Sequence, residues 1–169
     1  MLMRFTGKHG IVHEVNITDT NLKRICKRCQ ELPGQMLFQY VNGDGDPKPI
    51  TSGDVNDYIK QATGGEFTAK HFRTWGASVI AFEQLLDREE AERISVETMI
   101  EPVAEALGNT VAMSRKAYVH PALIKAVKER PRDPLNGMER PQSRKWLSDC
   151  EVGLLRFLRQ GKLQKSTAA

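Results

Sequence analysis

FTAKHFRTWGASVIAFEQLL, residues 67–86, repeats its large apolar side chains at helical spacing. Thr68 stands at a cap position, and the pattern predicts a helix with Phe72, Trp75, Val79, Phe82 and Leu86 on its buried side. Beyond it, Glu89 to Leu107 predicts a further amphipathic helix closed by Gly108-Asn109. A short helix over Val111 to Ala117 leads to Tyr118, and His120-Pro121 starts another that runs through Val127. Before it, Ser52 caps an expected helix over Val55 to Ala62 that Gly64-Gly65 ends. Leu22, Ile25, Cys26 and Cys29 mark one more helix, and Met36 to Val41 is an apolar run followed by the turn-rich Asn42–Pro47. Met3 and Phe5 before Gly7-Lys8-His9-Gly10, with Ile11, His13 and Val15 after it, predict a β-hairpin. The expected fold is mainly α with a small N-terminal β-hairpin or sheet, an α+β class.

Residues 1–129 are expected to form the main domain and residues 130–142, with Pro131, Pro134, Gly137 and Pro141, a linker. Residues 143–169 then hold a last helix over Trp146 to Leu158 and a tail. A length of 169 residues suits one ordinary domain, and 40% hydrophobic with 27% charged residues is globular composition. No stretch approaches the roughly 20 apolar residues of a membrane span, and the first residues offer no apolar secretory core. Three cysteines cannot build a paired disulfide framework, so a reducing cytoplasm is expected. The net charge of +4 is unevenly spread: residues 1–110 carry 12 Lys/Arg against 16 Asp/Glu, residues 111–169 carry 13 against 5. A basic C-terminal third suits a polyanion, and a soluble basic tail is the alternative.

Cys26-Lys27-Arg28-Cys29 has half the spacing of a zinc knuckle and lacks a second pair, which favours core thiols over a metal site. Ser114-Arg115-Lys116-Ala117-Tyr118-Val119-His120-Pro121 sets a tyrosine between cations and a histidine. A free phenol is a poor nucleophile near neutrality, and cationic neighbours favour its phenolate character. A structural tyrosine beside a basic surface is the other account of the same residues.

Six segments carry a resemblance: FTGKHG (5–10), ELPGQMLFQY (31–40), DVNDYI (54–59), FTAKHFRTWGA (67–77), ALGNT (106–110) and SRKAYVHPALI (114–124). In this order and spacing the chain resembles the catalytic domain of type IB DNA topoisomerases, the small kind found in poxviruses and many bacteria. The resemblance implies that Tyr118 is the nucleophile, forming a 3′-phosphotyrosyl link with release of a 5′-hydroxyl. It implies that Arg73 contacts the non-bridging phosphate oxygens and that Lys8 protonates the leaving 5′-oxygen. Asn109 falls where many relatives carry a histidine that donates to a phosphate oxygen. Lys70, Arg115, Lys116 and His120 are the expected DNA contacts. These residue types suit phosphoryl transfer, where charge gathers on equatorial oxygens and an alkoxide departs. Relaxation of supercoiled DNA without ATP, metal or other cofactor follows from the family, because the phosphotyrosyl bond conserves the energy of the broken one.

Four departures accompany the resemblance. Asn109 is neutral and supplies a hydrogen bond but no charge. Val111 replaces a proline common after the LGNT segment, and His71 stands where relatives more often show an acidic residue. The chain also opens almost at the lysine hairpin, without the family's N-terminal domain and its further arginine. A catalytic module that is feeble alone is therefore expected, with a non-catalytic DNA-binding remnant as one alternative. A tyrosine recombinase is another, although Lys70-His71-Phe72-Arg73 and Leu107-Gly108-Asn109 depart from its motifs. Duplex DNA is the expected partner, with no membrane, a monomeric state, a separate N-terminal fragment and a cytoplasmic, nucleoid-associated location. The simplest competing role for Arg73 is an ion pair with Glu66 or Glu83. Trp146, Leu147, Leu154, Leu155, Phe157 and Leu158 are expected to pack, and Arg144, Lys145, Arg156, Arg159 and Lys162 to touch phosphates.

Overall fold

The computed structural model describes residues 1–7, 10, 12–34, 36–88 and 92–166, with side chains described through residue 160. Lys8, His9 and Ile11 of the expected hairpin lie outside the described residues. The chain divides after Glu66 into two units, each described by itself. The class is as expected: mainly helical, with two two-stranded antiparallel sheets among the described residues.

In the first unit, β1 (Leu2–Thr6) pairs with β2 (Val12–Asn16) in a register running from Leu2 opposite Asn16 to Thr6 opposite Val12. That register stacks Phe5 on His13 (5.3 Å) and sets Arg4 3.5 Å from Glu14. Asp19 caps α1 (Thr20–Gln30) by accepting from Leu22 N–H at 2.8 Å. Cys26 is the helix's buried residue, while Leu22 and Ile25 stay half in water.

The apolar run continues into a second hairpin, β3 (Gln39–Val41) with β4 (Pro47–Pro49). Two prolines argue against a strand, and the register explains how they are accommodated. Ile50 N–H donates to Phe38 O and Asn42 N–H to Asp46 O, which makes 38/50 and 42/46 hydrogen-bonded pairs. Bonded and non-bonded pairs alternate in an antiparallel ladder, so Pro47 and Pro49 occupy positions that need no N–H. The next helix, α2 (Ser52–Thr63), is capped by Thr51 rather than by Ser52. Counting from Thr51 places Asp54 third, where its carboxylate accepts from Thr51 N–H at 2.7 Å and closes a capping box. Gly64 ends the helix at φ +65°.

The second unit is built on α3 (Ala69–Leu86), packed against α4 (Val96–Leu107) and α7 (Asp149–Ser166), with α5 (Val111–Ala117) and α6 (Pro121–Glu129) completing it. Its core joins Ala77, Ala81, Phe82 and Leu85 of α3 to Met99, Ile100 and Val103 of α4, with Leu123 and Val127 of α6 and Leu154 of α7. Phe82, Met99, Ile100, Leu123 and Leu154 are fully buried, and each contributes about 1.5–3 kcal/mol of transfer free energy.

Four expectations are corrected here. Phe72 is 62% exposed, because it lies about 80° around the helix from Phe82, in a turn that core partners do not cover. Helix α4 begins at Val96, not Glu89, since Ser95 Oγ accepts from Thr98 N–H and residues 92–95 are non-helical. Residues 130–142 are docked: Pro134 and Leu135 are buried, Ile94 N–H donates to Pro131 O, and Arg140 bridges Asp87 and Asp149. The last helix starts at Asp149, because Ser148 and Glu151 form a reciprocal cap (2.8 and 3.2 Å). Trp146 is thereby left outside the helix and 83% exposed, whereas Leu154 packs as expected.

Candidate active site

Arg73 projects from the first half of α3 and remains exposed. Its Nη2 donates to Leu107 O at 2.8 Å, at the end of α4 and two residues before Asn109. The same guanidinium lies 5.2 Å from the centre of the Tyr118 ring. Neither acidic residue considered from sequence holds it, and Glu66 is instead 2.8 Å from Lys60. One side chain thus brings the α4 terminus and the half-buried Tyr118 to a single place.

Tyr118 follows the last turn of α5, where Tyr118 N–H and Val119 N–H both donate to Ser114 O (3.0 and 3.1 Å). The segment turns at once into α6, whose cap is His120: its Nδ1 accepts from Ala122 N–H at 3.1 Å, and Pro121 fills the first helical position. As an acceptor at Nδ1, neutral His120 carries its proton on Nε2. Val119 is buried in the core, which anchors the segment between Tyr118 and His120.

Ser78 is the residue that sequence reasoning missed. Its side chain is buried within α3, and Oγ accepts from His120 N–H at 3.0 Å. The hydroxyl has one proton, which goes to Thr74 O at 2.9 Å, while Tyr118 O lies at 3.4 Å. Ser78 therefore ties the backbone just after Val119 to the helix that carries Arg73. The available signal was a serine four residues after a threonine, just ahead of the buried Ala81-Phe82 pair.

Asn109 is half-buried with its N–H on Ala104 O (2.9 Å), and its side-chain Nδ2 is enclosed without a hydrogen-bond partner. Ser114 Oγ, fully buried in α5, likewise lacks one. Lys70, Arg115 and Lys116 are exposed, the last two in the final turn of α5 before Tyr118. His71 has local work: its Nδ1 accepts from Thr68 N–H at 3.0 Å, the capping position usually given to a carboxylate. Trp75 Nε1 donates to Glu151 Oε1 at 3.0 Å, and this bond, followed by that from Ser148 N–H, holds the Glu151 carboxyl below its ordinary range. The structure thus brings Arg73, Tyr118 and the turn bearing Asn109 together, while Lys8 falls outside the described residues.

Residues 1–133 match the family described as eukaryotic DNA topoisomerase I, catalytic core, and the chain belongs to that family. Among individual proteins it is similar to the DNA topoisomerase 1B of Acanthamoeba polyphaga mimivirus, with 34% identity over 131 residues. That match covers 69% of this chain and 38% of the viral protein.

Proposed function

We propose that this chain carries the strand-breaking and strand-joining centre of a type IB DNA topoisomerase. The observation that carries this reading is the Arg73 guanidinium, tied to Leu107 O and set 5.2 Å from the Tyr118 ring. Tyr118 Oη attacks a backbone phosphorus, the bond from phosphorus to the 5′-oxygen breaks, and a 3′-phosphotyrosyl link replaces it. The phenolic proton passes to solvent water as the bond forms, and Lys8 delivers a proton to the departing 5′-oxygen. Arg73 spends one N–H on Leu107 O, and its remaining N–H groups face the charge that gathers on the non-bridging oxygens. Asn109 Nδ2, a donor without a partner, supplies a further bond once the 108–110 turn opens toward the phosphate. Lys70, Arg115, Lys116 and His120 hold neighbouring phosphates. After one strand rotates, the 5′-hydroxyl attacks the phosphotyrosyl link and restores the backbone, and no nucleotide is consumed.

A suicide duplex, nicked so that the 5′-leaving strand diffuses away, tests this. The full chain is assayed alone and as a chimera in which residues 1–133 replace the matched part of the mimivirus protein. A covalent 3′-adduct is expected, absent from Tyr118→Phe and slowed about 10²–10³-fold in Arg73→Ala. An adduct that survives Tyr118→Phe refutes the nucleophile. No adduct from either protein leaves a DNA-binding remnant as the function.

A further inference from the structure

The turn Arg144–Leu147 lies beyond the residues that match the family, and the site above makes no use of it. Arg144 N–H donates to Leu147 O (2.8 Å) and Leu147 N–H to Arg144 O (3.2 Å), a reciprocal pair that leaves Lys145 and Trp146 alone at the tip. Trp146 is 83% exposed, the largest value for any large hydrophobic side chain among the described residues. Lys145 Nζ stands 5.1 Å from the centre of its ring. Arg144 and Lys145 form no ion pair among the described residues, whereas Arg140, four residues earlier, is paired with Asp87 and Asp149. The base of the turn is fixed: Ser148 N–H and Trp75 Nε1 donate to the two oxygens of Glu151, joining it to α3.

A rigid tip that offers one flat apolar face and two unpaired cations fits a partner with regularly spaced anions and flat apolar surface between them. DNA has that pattern, with phosphates flanking each deoxyribose. The +8 balance of residues 111–169 favours a polyanion over a short acidic peptide. We infer that the Arg144–Leu147 turn is a second DNA contact, in which Arg144 and Lys145 take phosphates of a duplex and the Trp146 indole lies against the sugar between them. This inference rests on the DNA-acting reading above and extends its footprint to a segment outside the family match.

The full chain and a short mixed-sequence duplex test it by acrylamide quenching and salt titration. The chain has two tryptophans, and Trp75 is half-buried and hydrogen-bonded, so the readily quenched emission belongs to Trp146. Duplex is expected to shield that emission, and Trp146→Phe to remove the duplex-sensitive part. Trp146→Ala weakens binding about tenfold with the salt slope unchanged. Arg144→Gln with Lys145→Gln lowers the slope of log affinity against log salt by about 1.8, so that between about 50 and 200 mM the parent loses roughly 12-fold more affinity than the variant. Bound duplex that leaves Trp146 open to acrylamide, or variants that keep the parent slope, overturns the inference and leaves the Tyr118 centre standing. Shielding by phosphatidylglycerol vesicles without shielding by duplex overturns it as well. A chain that binds no duplex overturns both readings.

Discussion

Removing the Ser78 hydroxyl tests whether the Tyr118 segment is held by α3. Ser78→Ala deletes the hydroxyl that accepts from His120 N–H at 3.0 Å, beside the core. Loss of a part-buried hydrogen bond of this kind costs about 1–3 kcal/mol, and the better helix propensity of alanine returns about 0.5 kcal/mol. The net loss is about 1–2 kcal/mol, which lowers the melting temperature by about 4–15 °C for a unit of this size. The loss falls two residues from Tyr118, the proposed nucleophile, so it also has a kinetic signature. Covalent adduct formation under single-turnover conditions is expected to slow about 10–100-fold, as a misplaced nucleophile does, with duplex affinity unchanged. Ser78→Cys fills the same space with a poor acceptor and is expected to behave like Ser78→Ala. A Ser78→Ala protein that melts and cleaves like the parent refutes this tie, and a Ser78→Cys protein that does so shows that packing, not the hydrogen bond, positions the segment.

Gly153 of α7 faces Phe82, and an added Cβ would lie 2.6 Å from Cε1 and 3.0 Å from Cζ of that fully buried ring. Gly153→Ala is expected to lose about 1–2 kcal/mol in denaturant titration despite its helix propensity, because overpacking outweighs the gain. Ser114→Ala points the other way: deleting an unpartnered buried hydroxyl from a helix is expected to raise stability by about 1 kcal/mol. Glu151 and Asp149 set the acid limit of the α7 junction. Trp75 holds the Glu151 carboxyl below its ordinary 4.5, and Arg140, then Cys150 N–H, hold Asp149 below 3.8. Depressed carboxyls contribute stability that is complete above their unfolded values and is lost as pH falls through the folded ones. Trp75→Phe is therefore expected to be less stable than the parent at pH 7, with the gap narrowing below about pH 4.5; a gap constant down to pH 2 refutes the coupling.

The helices were legible because their apolar spacing and caps coincide. Val111–Ala117 and the Pro121 start were found, since Thr110 and His120-Pro121 are local signals that tertiary packing leaves alone. The errors arose where an apolar residue met no partner or a cap lay one residue from the obvious one. Phe72 and Trp146 count as core in any periodicity argument, yet both stand in water, because burial depends on what packs opposite. The Pro47–Pro49 strand is hidden from propensity and becomes intelligible only through its register. At the site, motif spacing brought out Arg73 and Tyr118. It could not show that a main-chain carbonyl at Leu107 orients the arginine or that a buried serine fixes the tyrosine's backbone. Such contacts involve backbone atoms, which carry no residue identity.

Helix α3 ties together the groups that the proposed function assigns to the site. Arg73 reaches the end of α4, Trp75 reaches α7, and Ser78 reaches the α5–α6 junction, all within six consecutive residues of one helix. Phe82 and Leu85, further along, lock that helix into the core. The positions of Tyr118 and Arg73 are therefore both referred to one helix, through the part-buried Ser78 bond and the exposed Arg73 bond to Leu107 O. The arrangement also makes lysine a poor substitute for Arg73. A lysine ammonium is a compact point charge without the planar fork that binds Leu107 O and leaves further donors for the phosphate of the proposed reaction. Orientation and charge are joined in one guanidinium, so the geometry of Tyr118 and its electrostatic support stand or fall together.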